Sequence, residues 1–177
     1  MPRSLRRVNP RHPRKERGIL FSMLKRSPVF LVAIALVLAL AGCGSIPADP
    51  DGTLERVTDG VLRVGLSPDD GLISVAGNEV SGNEAELVED FAETLNARVE
   101  WTIGGEERLV GQLDTGKLDL VVGGITDATP WVESAGVTRA YPAMPGADGR
   151  NIVMLVPLGE NRFLGELERF LDAAVGE

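Results

Sequence analysis

From Val61 onward, short apolar runs alternate with segments whose apolar residues recur at helical spacing. This alternation restricts the fold more than any other feature of the chain. VLRVGL (61–66) predicts a strand that stops at Ser67-Pro68. EAELVEDFAETL (84–95) predicts a helix, with Leu87, Val88, Phe91 and Leu95 at helical spacing and Asn83 and Glu86 placed as in a capping box. RVEWTI (98–103) predicts a second strand, with Trp101 in the core. EERLVGQLDTG (106–116) predicts a short helix carrying Leu109, Val110 and Leu113 on one face, with acids in its first turn and Gly116 as its stop. LDLVVGG (118–124) is almost continuously apolar, as expected of a strand covered on both faces. NIVMLVP (151–157) predicts a further strand, and NRFLGELERFLDAAV (161–175) a closing amphipathic helix.

Alternating strands and helices predict an α/β protein with a single open, mostly parallel sheet and helices on both faces. Residues 61–177 are enough for one core of this kind but not for two full domains. In open sheets of this type, ligands bind beyond the carboxyl ends of the strands. Three loops are expected to meet there: 67–71, the region around 82–84, and 123–131. The first offers Ser67 together with Asp69 and Asp70, and the two Asp carboxylates either meet an ammonium group or serve as solvated turn residues. Glu84, like Glu86, either complements the dipole of its helix or binds. Gly123 and Gly124 either let a ligand approach backbone N–H groups or simply make a turn. Trp131 either stacks on a ligand or a partner, or covers the core beside Pro130.

Charge and composition exclude several functions. Residues 1–42 hold nine basic side chains and one acid, while the remainder holds nine basic and twenty-five acidic ones. A body with a formal charge of −16 repels nucleic acid and favours cationic partners. The one histidine is His12 and the one cysteine Cys43, so the body has neither imidazole nor thiol. Ser-His-Asp and Cys-His catalysis, the usual zinc sites and an internal disulfide are thereby excluded. A carboxylate-based enzyme stays formally open, but no motif places a carboxylate pair. No cofactor and no metal are expected.

The basic residues belong to a leader. Lys25 and Arg26 precede VFLVAIALVLALA (29–41), thirteen uncharged residues, short for a membrane span of about 20. The run ends in Leu40-Ala41-Gly42-Cys43, which resembles a bacterial lipobox. That resemblance implies cleavage before Cys43, a lipid on its thiol, and stable anchoring by more than one acyl chain. Residues 1–42 are therefore expected to be a signal peptide, with Met1 and Met23 both open as its start. Residues 43–60, rich in Pro, Asp and Gly from Ile46 to Asp59, read as a lipidated tether, and 61–177 as the folded lobe.

The lobe resembles the extracytoplasmic solute-binding proteins of ABC importers, polar amino-acid branch, and thus one lobe of a type II periplasmic-binding-protein fold. The resemblance rests on Leu62-Arg63-Val64-Gly65, on Gly82-Asn83-Glu84-Ala85-Glu86-Leu87 opening a helix, on Leu113-Asp114-Thr115-Gly116-Lys117-Leu118-Asp119 leading into a strand, and on Thr138-Arg139-Ala140-Tyr141. It implies a hydroxyl donor at Thr126. The chain departs from that pattern in three ways. Only PAMPGADGR (142–150) stands where a second lobe would be inserted. No arginine follows the third-strand loop until Arg139, so the expected carboxylate anchor is missing. Ser67 to Gly71 contain no aromatic residue.

The resulting expectation is a lipid-anchored, extracytoplasmic, non-enzymatic protein linked to uptake or sensing of a small polar, amino-acid-like ligand. Its partners are an ABC permease or another membrane protein, and the membrane itself through the lipid. The alternative is a tethered interaction module that kept the fold and lost ligand capture.

Overall fold

The computed structural model describes residues 48–176. The leader, the lipobox and Cys43 lie outside the described residues. The order of elements is α1 (Thr53–Val57), β1 (Val61–Leu66), β2 (Ser74–Ala76), β3 (Glu79–Ser81), α2 (Asn83–Thr94), β4 (Arg98–Ile103), α3 (Glu106–Asp114), β5 (Leu120–Val122), a 3-10 turn (Pro130–Glu133), β6 (Ala135–Val137), β7 (Leu155–Pro157) and α4 (Asn161–Val175).

Five strands form one sheet in the order β4-β1-β5-β7-β6. β1 runs parallel to both β4 and β5, and β7 runs antiparallel to β5 and β6. Four strands therefore point one way and β7 alone runs against them. The expected parallel character holds at the β4-β1-β5 side and is broken by β7. β2 and β3 make a separate two-stranded hairpin.

The period-two pattern of β1 sends Leu62, Val64 and Leu66 to one face of the sheet. There they meet Val57 of α1, Val88 and Phe91 of α2, and Phe163, Leu167 and Leu171 of α4. Phe91 sits between Phe163 and Phe170, with ring centroids 5.8 and 5.5 Å away and tilted planes. Truncating such a fully buried ring to alanine costs about 3–5 kcal/mol. On the other face, Leu109, Val110 and Leu113 of α3 cover Val121 and Leu155. β5 thus has both faces buried, which its unbroken Leu-Val-Val requires.

Several boundaries differ from the sequence reading. The strand expected over 118–124 is confined to β5, because Leu118 and Asp119 approach it as a turn and Gly123 and Gly124 leave the sheet. The strand expected over 151–157 is confined to β7; Ile152 makes only isolated bridges, to Thr126 and Tyr141. α2 starts without a side-chain cap: Gly82 occupies the N-cap, and Glu84 is buried instead of facing water.

The reading of 43–60 as a tether also needs correction at its C-terminal half. α1 forms there and Val57 is fully buried in the main core. Arg56 reaches Asp119 at 2.6 Å, and Arg63 bonds the same carboxylate through its backbone N–H (3.0 Å), Nε (2.8 Å) and Nη2 (2.6 Å). Asp119 is fully buried at the start of β5. Its burial pushes the carboxyl up, but the two guanidinium groups outweigh this and hold it below the ordinary range. This network ties Arg63 of β1 to Asp119 at the start of β5.

Candidate functional site: the carboxyl mouth of the central strands

The mouth is built where β1 and β5 end side by side. Ser67 N–H donates to Val122 O at 3.0 Å, so the parallel pairing runs one residue past β1. The chain then turns sharply at Gly123 (φ 130°) and Gly124 (φ 67°). A Cβ on Gly123 would overlap the Ser67 carbonyl, and one on Gly124 would overlap the Asp69 carboxylate. Both glycines are thus required by the packing of the first loop against the second, without invoking a ligand.

Glu84 comes to the same point from the first turn of α2. It is fully buried. Its Oε2 accepts from Gly124 N–H at 3.1 Å, and its Oε1 has no partner among the described residues. Burial is the main cause that pushes its pKa up to about 7; the N–H groups of Gly124 and Gly123 oppose it, Asp69 raises it further and Arg150 lowers it. Burying a carboxylate oxygen without a hydrogen-bond partner costs free energy, because its desolvation is not compensated.

Asp69 forms a two-pronged ion pair with Arg150, at 2.8 Å to Nη2 and 2.9 Å to Nη1. Arg150 is the last residue of the nine-residue crossing segment and also donates from Nε to Ala147 O at 3.1 Å. The segment is folded tightly: Met144 and Ala147 are buried in the main core.

The structure therefore brings Ser67, Asp69, Glu84, Gly123 and Gly124 together. It leaves Asp70 as an exposed turn residue. Thr126, two residues further along the loop, pairs through its backbone with Ile152. Trp131 is half-buried on the second core, and its indole N–H donates to Glu106. Arg139 lies on α4 instead, paired with Asp172 at 2.8 Å. Its neighbour Tyr141 is buried and donates to Asp172 at 3.1 Å, which with burial raises the phenol pKa. Thr138 Oγ1 accepts from Met154 N–H at 3.0 Å, so the Thr138-to-Tyr141 motif staples the crossing to β7 and α4.

The residue that sequence reasoning missed is Arg150. Its only local signal is an arginine immediately before the returning apolar run, and its partner lies 81 positions earlier. Among the described residues, no group of three or more His, Cys, Asp or Glu side chains is arranged to hold a metal ion. Two clefts lie elsewhere, one lined by Asp51, Thr53, Arg56, Leu113 and Gly116, the other by Leu54, Glu55, Thr58 and Arg162.

No protein-family model matches the chain. It is 26% identical over 112 residues to the "Probable amino-acid-binding protein YxeM" of Bacillus subtilis, which covers 63% of this chain; the chain spans 40% of that relative's length. Among solved structures it matches the arginine-bound form of domain 1 from TmArgBP, of T. maritima, with a TM-score of 0.58 and 23% identity, over 67% of this chain and 97% of that domain. It also matches a Salmonella typhimurium periplasmic binding protein described for its high arginine specificity, with a TM-score of 0.54 and 12% identity, over 66% of this chain and 94% of the other. The first is a probable amino-acid-binding protein, and the two solved proteins are described for arginine binding. A five-stranded sheet with one reversed strand, helices on both faces and near-complete overlap with a separate domain 1 give this chain the fold of a single periplasmic-binding-protein domain.

Proposed function

We propose that the chain is a lipid-anchored, extracytoplasmic solute-binding lobe that captures a small amino-acid-like solute for an ABC transport system. The observation that carries this reading is the convergence of Asp69 and the buried, half-unpartnered Glu84 on Gly124, at the strand ends where open sheets hold ligands. Two carboxylates in one place suit a positively charged group such as an ammonium. Support comes from a domain of the same fold, of nearly the same extent, that has been described with arginine bound. The Cys43 lipid and the signal peptide are supported by the sequence Leu40-Ala41-Gly42-Cys43 behind its apolar run.

A single lobe leaves one side of its ligand in water, so binding is weaker than in a two-lobed clamp that buries most of it. The test is native mass spectrometry and calorimetry of the full chain in detergent against the twenty amino acids. Saturable binding of one group of them, weakened at least about tenfold by Asp69→Asn, supports the reading. A Cys43→Ser form that leaves the membrane fraction supports the anchor. Absence of binding to all twenty, with recovery of one specific membrane protein, favours the second reading, a tethered interaction module. That second reading draws on the Asp69–Arg150 pair, which already satisfies the carboxylate best placed for a ligand.

A further inference from the structure

The crossing segment ends in a side chain that imitates a ligand. Arg150 presents a planar cationic fork to Asp69, the geometry by which a carboxylate takes up any guanidinium group. The pair is only partly screened from water, with 35% of the Arg150 side chain and 25% of the Asp69 side chain exposed. Solvent therefore reaches both side chains of the pair. Behind them lies Glu84, which is fully buried, has one oxygen without a partner among the described residues, and is held to Gly124. The mouth thus holds two carboxylates and one guanidinium, and that guanidinium bonds only one of the two.

The seat of the segment is close. Gly146 lies so near Gly71 that a Cβ would overlap the Gly71 carbonyl, and the same Cβ would lie 3.2 Å from Asn83 Nδ2 at the start of α2. The segment therefore packs beside Asn83, the residue that precedes Glu84. Gly146, Asp148 and Gly149 carry positive φ angles (85°, 51° and 79°), which shape the tight turn that delivers Arg150 to Asp69.

We propose that Asp69 and Glu84 form a binding site for a guanidinium-bearing solute, and that Arg150 is its built-in occupant, an internal competitor that an external cation must displace. This rests on the reading of the mouth as a solute site. A competitor on a short turn acts at millimolar or higher effective concentration, so it lowers the apparent affinity of every external ligand for the same carboxylates.

The test is calorimetry of the full chain with L-arginine and with L-citrulline, whose neutral urea group replaces the guanidinium. Arg150→Ala is expected to tighten L-arginine binding by roughly tenfold, the gain when an occupant that holds the site about 90% of the time is removed. Citrulline binding should not tighten, and Asp69→Asn added to Arg150→Ala should abolish the gain. As a second readout, millimolar guanidinium ion should raise the melting temperature of Arg150→Ala but not of the wild type. If Arg150→Ala does not fold, Arg150→Gln serves, with the same expected direction. Unchanged or weaker arginine binding in a folded Arg150 variant overturns the proposal, as does an equal gain for citrulline. Binding of a neutral amino acid that is indifferent to Arg150 also overturns it, while leaving the solute-binding function itself intact.

Discussion

Asp49 and Glu160 each cap the helix that the other introduces. Asp49 Oδ1 accepts from the N–H groups of Arg162 and Phe163 at 2.8 and 3.0 Å, in the first turn of α4. Glu160, which is buried, accepts from Asp51 N–H at 2.9 Å and Thr53 N–H at 2.8 Å, at the start of α1. This reciprocal arrangement pins the segment before the lobe to its last helix. It gives free backbone donors their partners at both helix starts.

Glu160→Ala should therefore release α1 selectively. The loss of two charge-assisted bonds at one terminus is expected to cost about 1–2 kcal/mol. Hydrogen exchange should show Thr53–Val57 losing protection while β1 and β5 keep theirs. Equal loss of protection throughout would mean that α1 is part of the global cooperative unit, not a separately docked strap.

Glu84 sets a second expectation, for pH. Its folded pKa of about 7 lies above the ordinary carboxylate value of 4.5. Between those values the folded state holds a proton that the unfolded state has lost. Stability must then fall as pH rises from about 4.5 to 7 and level off above it. The full penalty is on the order of 3 kcal/mol. Glu84→Gln keeps an oxygen for Gly124 N–H and carries no charge. It should melt higher than the wild type at pH 8 and show no decline across this range in scanning calorimetry. A parallel decline in both proteins would assign it to the general negative charge of the body.

Asp119 predicts the opposite slope at lower pH. Its folded pKa is held below 3.8, so its stabilisation is present above that value and is lost as pH falls through the folded pKa. Asp119→Asn removes the charge that Arg63 and Arg56 share while keeping the volume. Because Asp119 itself is fully buried, a loss of roughly 3 kcal/mol is expected at neutral pH by urea unfolding. A loss below about 0.5 kcal/mol would show that the half-exposed arginines contribute almost nothing.

Much of the architecture was legible before any coordinates. β1, β4 and α4 have the bounds that their residue patterns predict, because Val64, Trp101 or Phe163 can satisfy only one periodicity in its segment. The missed elements are those whose stability is not local. β6 is a three-residue Ala-Gly-Val run that exists because β7 pairs with it. β2 and β3 are three residues each and only half cover Val75 and Val80. Residues 53–57 read as linker because so short a stretch, with only Leu54 and Val57 turned to the core, shows no periodicity and borrows its N-terminal partners from Glu160. At the mouth, the pattern names the glycine pair, Asp69 and Glu84, but it leaves Glu84 between a dipole-complementing and a binding role and gives no sign of its burial.

By itself the sequence determined which segments could be strands or helices, that the sheet would be covered on both faces, and that the body would lack imidazole and thiol chemistry. Those properties follow from local periodicity and from composition. Only the tertiary structure decided which charges meet. It buried Glu84 under the Gly124 turn, gave Asp69 to Arg150 in place of water, and joined Asp49 to α4 and Glu160 to α1. Charge pairing across tens of residues depends on where the chain crosses itself, and no local pattern carries that information.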